Sequence, residues 1–158
     1  MVHNLNLKRY IRFLFASLLF NLPNVMKNLL RTRPTDRQVY EGEIASYWFD
    51  EGILISLSKS PKRTVGNITA NVALVKKFSN NKRVPLLIYL SNSPVPDKET
   101  RKFASEQMPI IYSAMAMVSK PGLAKFIMNI LFMLKPPPIP MKSFTNDKEA
   151  KEWLRQYI

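Results

Sequence analysis

Ser91, Asn92, Ser93 and Thr100 come nearest to a chemical constellation, in the stretch Ser91-Asn-Ser-Pro-Val-Pro-Asp-Lys-Glu-Thr100. Hydroxyls and an amide between the end of an apolar run and the start of a helix can hold a phosphate or meet a partner. The first N–H groups of a helix are unpaired and carry the positive end of its dipole. The same side chains serve equally well as caps and turn formers beside proline. Both uses stay open on the residues alone.

The residue types that make and break covalent bonds are scarce elsewhere. The chain has no cysteine and one histidine, His3. Thiolate nucleophiles, disulfides and Cys-ligated metals are excluded, and the body cannot build a Ser-His-Asp triad or a His-ligated metal centre. Asp50 and Glu51 are adjacent carboxylates, but Gly52 follows them, so they read as turn residues rather than an acid and base pair. The four glycines, at positions 42, 52, 66 and 122, form no loop of the kind that cradles a nucleotide phosphate. The expectation is binding, with no catalytic residue, metal or cofactor.

Charge bears on what is bound. Of a formal net +13, residues 1–37 carry +6 and the remaining residues +7, so the tail is the denser in positive charge. Lys59, Lys62 and Arg63 cluster before the first expected helix, and Lys76, Lys77, Lys82 and Arg83 around its end. The second cluster complements a helix C-terminus. Nucleic acid would need aromatics interleaved on an exposed sheet, whereas Tyr47, Trp48 and Phe49 read as hairpin core, which argues against that partner.

The tail has its own pattern. Lys8, Arg9 and Arg12 precede an apolar run that includes Phe13 and Phe15 and ends at Pro23. The run is far short of the roughly 20 residues that span a bilayer. It fits an interfacial helix in peripheral contact with the inner face of a membrane, with cations snorkelling beside Phe and Leu. Sequence upstream of an alternative start at Met26, and an export signal without a good cleavage site, are the other readings. Thr32 to Arg37 reads as a linker, which divides the chain into a basic tail, 1–37, and a domain, 38–158. The lack of cysteine fits a reducing, cytoplasmic setting.

The elements that must position these residues follow from periodicity. Strand chemistry begins at Tyr40, and Asp50-Glu-Gly52 between two β-rich runs signals an opening hairpin. Thr64 caps a helix to about Phe78, with Val65, Ile68, Val72 and Val75 on one face. Val84 to Leu90 is nearly continuous apolar sequence, the mark of a central strand covered on both faces. Asp97 caps a second helix carrying Phe103, Ala104 and Met108, and Ile111 to Val118 forms the next strand. A third helix, Leu123 to Leu134, is apolar almost all round. Phe126, Ile127 and Ile130 with Met115 and Met117 either pack as core or line an adaptable pocket for a small hydrophobic ligand. A short strand at Met141 to Phe144 precedes a last helix, in which Asn146 and Glu149 form a capping box and Ala150, Trp153, Leu154, Tyr157 and Ile158 share a face. The expected fold is α/β. It has a mixed, mostly parallel sheet of about five strands with four helices, in the order β-β-α-β-α-β-α-β-α.

That order, with the phrases Ala116-Met-Val-Ser-Lys120, Pro140-Met-Lys-Ser-Phe144 and Phe144-Thr-Asn-Asp-Lys-Glu-Ala150 followed by Trp153-Leu154, resembles the STAS-like or SpoIIAA-like group of small bacterial domains from about Tyr40 onward. The resemblance implies one of two roles. STAS domains of the anti-sigma-factor antagonist type bind a protein partner and are switched by phosphorylation of a Ser at the start of the helix after a central strand. Other SpoIIAA-like domains are similar to CRAL-TRIO lipid carriers. Here Ser91, Ser93 and Thr100 occupy the corresponding loop, but the Asp-Ser-[Ser/Thr]-Gly phrase is absent and Pro94 and Pro96 stand in it. The expectation is a non-catalytic, regulatory domain acting through protein contacts at Ser91 to Thr100, with a carrier of a small hydrophobic ligand as the alternative.

Overall fold

Turn and cap signals set the frame of the computed structural model, which describes residues 32–91, 93–119, 122, 129 and 136–158. Glu51 and Gly52 adopt φ of 51° and 79°, so the turn after Asp50 is left-handed at both central positions, and glycine takes the second without strain. It joins β2 (Ala45–Asp50) to β3 (Ile53–Ser58) in antiparallel register, with Trp48 opposite Ile55. Thr64 and Asn67 close a reciprocal capping box on α1 (Val65–Phe78). Asn80 and Asn81, both at positive φ, end that helix and lead into β4 (Val84–Tyr89).

Asp97 caps α2 (Lys98–Ile111), which leads directly into β5 (Tyr112–Val118). After β6 (Met141–Phe144), Asn146 caps α3 (Asp147–Leu154), and a single 3-10 turn, Arg155–Tyr157, follows. A two-residue edge strand, β1 (Tyr40–Glu41), pairs with Ser46 and Tyr47. Among the described residues there are thus six strands and three α-helices, against an expected five and four. Two residues are too few to show an alternation, so β1 was not legible as a strand. The expected third helix at 123–134 lies almost wholly outside the described residues.

The strands lie in the order β1-β2-β3-β4-β5-β6, antiparallel up to β3 and parallel from β3 to β6. The class is α/β with a mixed sheet, and β4 is central, as its unbroken apolar run required. One face carries Tyr47, Leu54, Leu86, Met115 and Met117 toward α1 and α2. The other carries Trp48, Ile53, Ile55, Leu87, Ala114, Ala116 and Val118 toward α3, whose Ala150 and Leu154 are wholly buried. Alanine at 114 and 116 lets α3 sit close, while methionine at 115 and 117 fills more depth on the other side.

One irregularity sets which groups face the first layer. The β4–β5 register shifts between Val84 and Leu86, so that Val84 pairs with Tyr112 and Leu86 with Met115. An extra residue on β5 brings Tyr112 and Met115 to the same face, where simple alternation would have parted them. Arg83 holds this point by donating two hydrogen bonds to the Tyr112 carbonyl, at 3.1 and 3.2 Å.

One sequence expectation needs correction. Ile158 is 69% exposed rather than part of the apolar face of the last helix, because the helix tightens to a 3-10 turn after Leu154 and changes the side-chain phase. Two arginines in the stretch Thr32 to Arg37 pair with strand residues. Arg33 pairs with Glu41 at 2.6 Å, and Arg37 with Asp50 at 2.8 Å.

Candidate functional site

Among the described residues, the sheet beneath α1 and α2 is incompletely covered. Asn67, Ile68, Asn71, Val72 and Val75 of α1 are buried, whereas α2 buries only Thr100 and Ile111. Phe103, Ala104 and Met108, which share the inward stripe of α2, are only partly buried. The gap is a cavity of about 410 Å³ between the sheet, both helices and the loop 91–97. Its walls are mostly aliphatic, from Ile68 and Val72 on α1, Leu86 and Ile88 on β4, Met108 on α2, and Met115 and Met117 on β5. A volume in the range of ligand pockets, roughly 300–1,000 Å³, with few polar groups, is the usual form of a small-molecule site.

The polar groups fall into two sets. In the first, the Tyr47 hydroxyl donates to Asn71 Oδ1 at 2.6 Å within the protein interior. Tyr112 shares hydrogen bonds with the same pair, and Ser56 stands beside Tyr47. Burial raises both phenol pKa values, that of Tyr112 well above its ordinary value, so both hydroxyls stay protonated donors.

The second set lies where β3 and β4 end. Arg63 donates to the carbonyls of Pro61 at 2.8 Å, Ile44 at 3.2 Å and Lys59 at 3.0 Å, and to Ser58 Oγ at 2.8 Å. Ser91 donates to the Lys59 carbonyl at 2.9 Å and stands 3.2 Å from Ser58 Oγ. Arg101, in the first turn of α2, donates to the Pro96 carbonyl at 2.6 Å and lines the same cavity. Desolvation lowers the pKa of Arg63 from its very high ordinary value, but an arginine stays charged.

The structure sorts the residues singled out in the sequence. Ser91 and Ser93 line the cavity, partly buried, rather than standing out on the surface. Thr100 was expected to present its hydroxyl to a partner or phosphate. It is 3% exposed and its N–H is taken by Asp97 Oδ1 at 2.8 Å, because the third position after the cap turns toward the sheet. Met115 and Met117 line the cavity. Asn92, Phe126, Ile127 and Ile130, and the tail residues Lys8, Arg9, Arg12, Phe13 and Phe15, lie outside the described residues.

Sequence reasoning passed over Tyr47, Asn71, Tyr112, Ser58, Arg63 and Arg101 as site residues. A signal existed for Asn71 and Ser58. Asn71 interrupts the apolar stripe of α1, and Ser56 and Ser58 alternate with Ile55 and Leu57 on β3. Polar residues at inward positions mark a lined space or a buried network. Arg63 clusters in sequence with Lys59 and Lys62 before α1. That cluster disperses, since Lys59 pairs with Glu41 at 2.9 Å and Arg63 turns inward. Tyr47 and Trp48 are buried, as the hairpin-core reading required.

Among the described residues, no group of three or more metal-ligating side chains comes together, and no helix is long and apolar enough to cross a membrane. Comparison with known proteins bears on the fold. Among solved structures, the chain is similar to a protein from Shewanella loihica, described as an uncharacterized member of the DUF3478 family with a SpoIIAA-like fold. The two share 11% identity and a TM-score of 0.50, over 78% of this chain and 99% of that one. The architecture is thus SpoIIAA-like, as the resemblance implied. No curated protein matches the chain. Residues 47–158 match the family described as Domain of unknown function (DUF7793), and the chain belongs to that family.

Proposed function

We propose that this chain is a non-catalytic binding domain whose ligand is a small, mainly apolar molecule held between the sheet and helices α1 and α2. The observation that carries the reading is the cavity of about 410 Å³, walled by aliphatic side chains from both layers. Close packing is the norm in protein interiors, and voids larger than a water molecule are few. A space of this size under a helix with a partly buried apolar stripe costs stability unless something fills it. Displacing water from such walls on binding contributes about 25 cal/mol for each Å² of apolar surface covered.

Of the two readings drawn from the sequence, the ligand carrier gains support from this geometry. The protein-contact reading relied on hydroxyls presented outward at Ser91, Ser93 and Thr100, and those hydroxyls face inward or are buried. Regulation through a partner stays compatible with the site, because a ligand that orders loop 91–97 would alter the surface around Val95, which is 49% exposed.

The test uses the full-length protein and a neutral apolar probe, decanol. Saturable binding that raises Tm is expected, because a ligand of the native state stabilises it by mass action. Ala104→Trp, which places an indole in the cavity from α2, is expected to weaken decanol binding by at least about tenfold. No saturable shift in the unsubstituted protein, or an undiminished shift in Ala104→Trp, would refute the reading.

A further inference from the structure

Among the described residues, Arg63 is a partly buried cation without an anionic partner. Its four acceptors are three backbone carbonyls and a serine hydroxyl, all neutral. Among the described residues no carboxylate makes an ion pair with it, although the chain forms such pairs at Arg33, Arg37, Lys59, Lys151 and Arg155. The acidic side chains on neighbouring elements are engaged elsewhere. Glu43 accepts from Asn67 at 3.3 Å, and Asp97 caps α2 at Thr100. A charge removed from water is normally paired, since neutral acceptors repay only part of its lost hydration. Here the charge borders an apolar cavity, and Arg101, which also lacks a carboxylate partner among the described residues, lines that cavity with it.

The guanidinium has donors to spare. Of its five N–H groups, Nε–H has no acceptor among the described residues, and Nη1 has a single one, the Pro61 carbonyl. The hydroxyls of Ser58 and Ser91 stand at the same end of the cavity, which Ser93 also lines. A cation, spare donors and hydroxyls at one end of an aliphatic chamber make a site with two chemical halves.

We infer that the ligand is an amphipathic anion, a single-chain carboxylate of the fatty-acid class, with its head at Arg63 and its chain along Met115 and Met117. The inference rests on the ligand-binding reading above and specifies its chemistry. It distinguishes this site from one for a neutral lipid, for which an unpaired cation at the rim would be a penalty.

The experiment measures the affinity of full-length protein for three probes of equal chain length: decanoate, decanol and decylamine. At neutral pH decanoate is expected to bind roughly tenfold or more tighter than decanol, the scale of a charge-assisted hydrogen bond, and decylamine weakest. Arg63→Gln is expected to collapse the decanoate-to-decanol ratio to within about twofold, while Arg63→Lys, which keeps the charge, retains most of it.

Equal binding of decanoate and decanol by the unsubstituted protein, or decylamine binding as tightly as decanoate, would overturn the inference and leave the binding reading standing. A ratio unchanged in Arg63→Gln would assign Arg63 to clamping the segment 58–64 and overturn it too. Should Arg63→Gln fail to fold, the three-probe comparison on the unsubstituted protein decides alone. Binding of none of the probes would remove the underlying reading itself.

Discussion

Replacing Asn71 by leucine tests whether the polar cluster in the cavity wall is a closed network. Asn71 sits on the buried stripe of α1, and its Oδ1 accepts the Tyr47 hydroxyl at 2.6 Å, with Tyr112 sharing the same groups. Tyr47 is 2% exposed and Tyr112 6%, so neither hydroxyl can turn to bulk water when its partner is removed. Losing one neutral hydrogen bond costs about 1 kcal/mol, and stranding a buried hydroxyl adds about 1–3 kcal/mol. Leucine recovers part of this by burying apolar surface, so the expected net loss is about 2 kcal/mol. Tyr47→Phe removes the other partner of the bond, and its expected loss is about 1 kcal/mol. Urea denaturation of the two single variants and the double variant, at unchanged m-value, reads these quantities directly. If the cluster acts as a unit, the double variant loses about 1 kcal/mol less than the sum of the singles, because each substitution destroys the same interaction. Losses that add to within about 0.3 kcal/mol would show that the cluster is not coupled, and the account of the cavity wall would be wrong.

Three further outcomes follow from other parts of the structure. Leu154→Ala is expected to lower stability by about 2–5 kcal/mol in chemical denaturation, since Leu154 is wholly buried against Ile53, Leu87 and Ala116. Ala104→Trp is expected to change stability by less than about 1 kcal/mol, where an indole forced into a filled core costs about 1–3 kcal/mol; a larger loss would show that the space under α2 is not open. Lys59, and after it Arg33, hold the Glu41 carboxyl down from its ordinary 4.5 to about 2. Because the folded pKa lies below the unfolded one, the pair's contribution is full above about pH 4.5 and fades as pH falls toward about 2. The pair is largely solvated, so Glu41→Gln is expected to cost under about 1 kcal/mol at neutral pH, and acid titration of both proteins should show the difference vanish near pH 2.

How much of this was legible depended on how local the deciding physics is. The run Val84 to Tyr89 lies centrally because an unbroken apolar strand must be covered on both sides, and that requirement can be read from the residues alone. Thr64, Asp97 and Asn146 cap their helices because a side-chain oxygen reaches an N–H three residues on, within one turn of chain. The ending Ala150 and Leu154 was legible for the same reason, while Ile158 was misplaced because the final turn tightens. Arg63 is not separable in the sequence from Lys59 and Lys62, because basic neighbours look alike. Its inward turn depends on the carbonyls of Ile44 and Lys59, which reach it only through the pairing of β2 with β3.

Composition and periodicity by themselves determined that this chain folds as a mixed α/β sheet, that it holds no thiol and no imidazole beyond His3, and that Met115 and Met117 face an apolar interior. These properties depend on residue type and on spacing along one element, both present in the linear chain. Only the tertiary structure decided that a cavity lies between α2 and the sheet, that a register shift on β5 brings Tyr112 round to Tyr47 and Asn71, and that Arg63 meets the cavity without a counter-charge among the described residues. Each of these results from surfaces far apart in sequence meeting at a particular depth. A volume left unfilled between layers belongs to no single element, so no pattern along the chain encodes it.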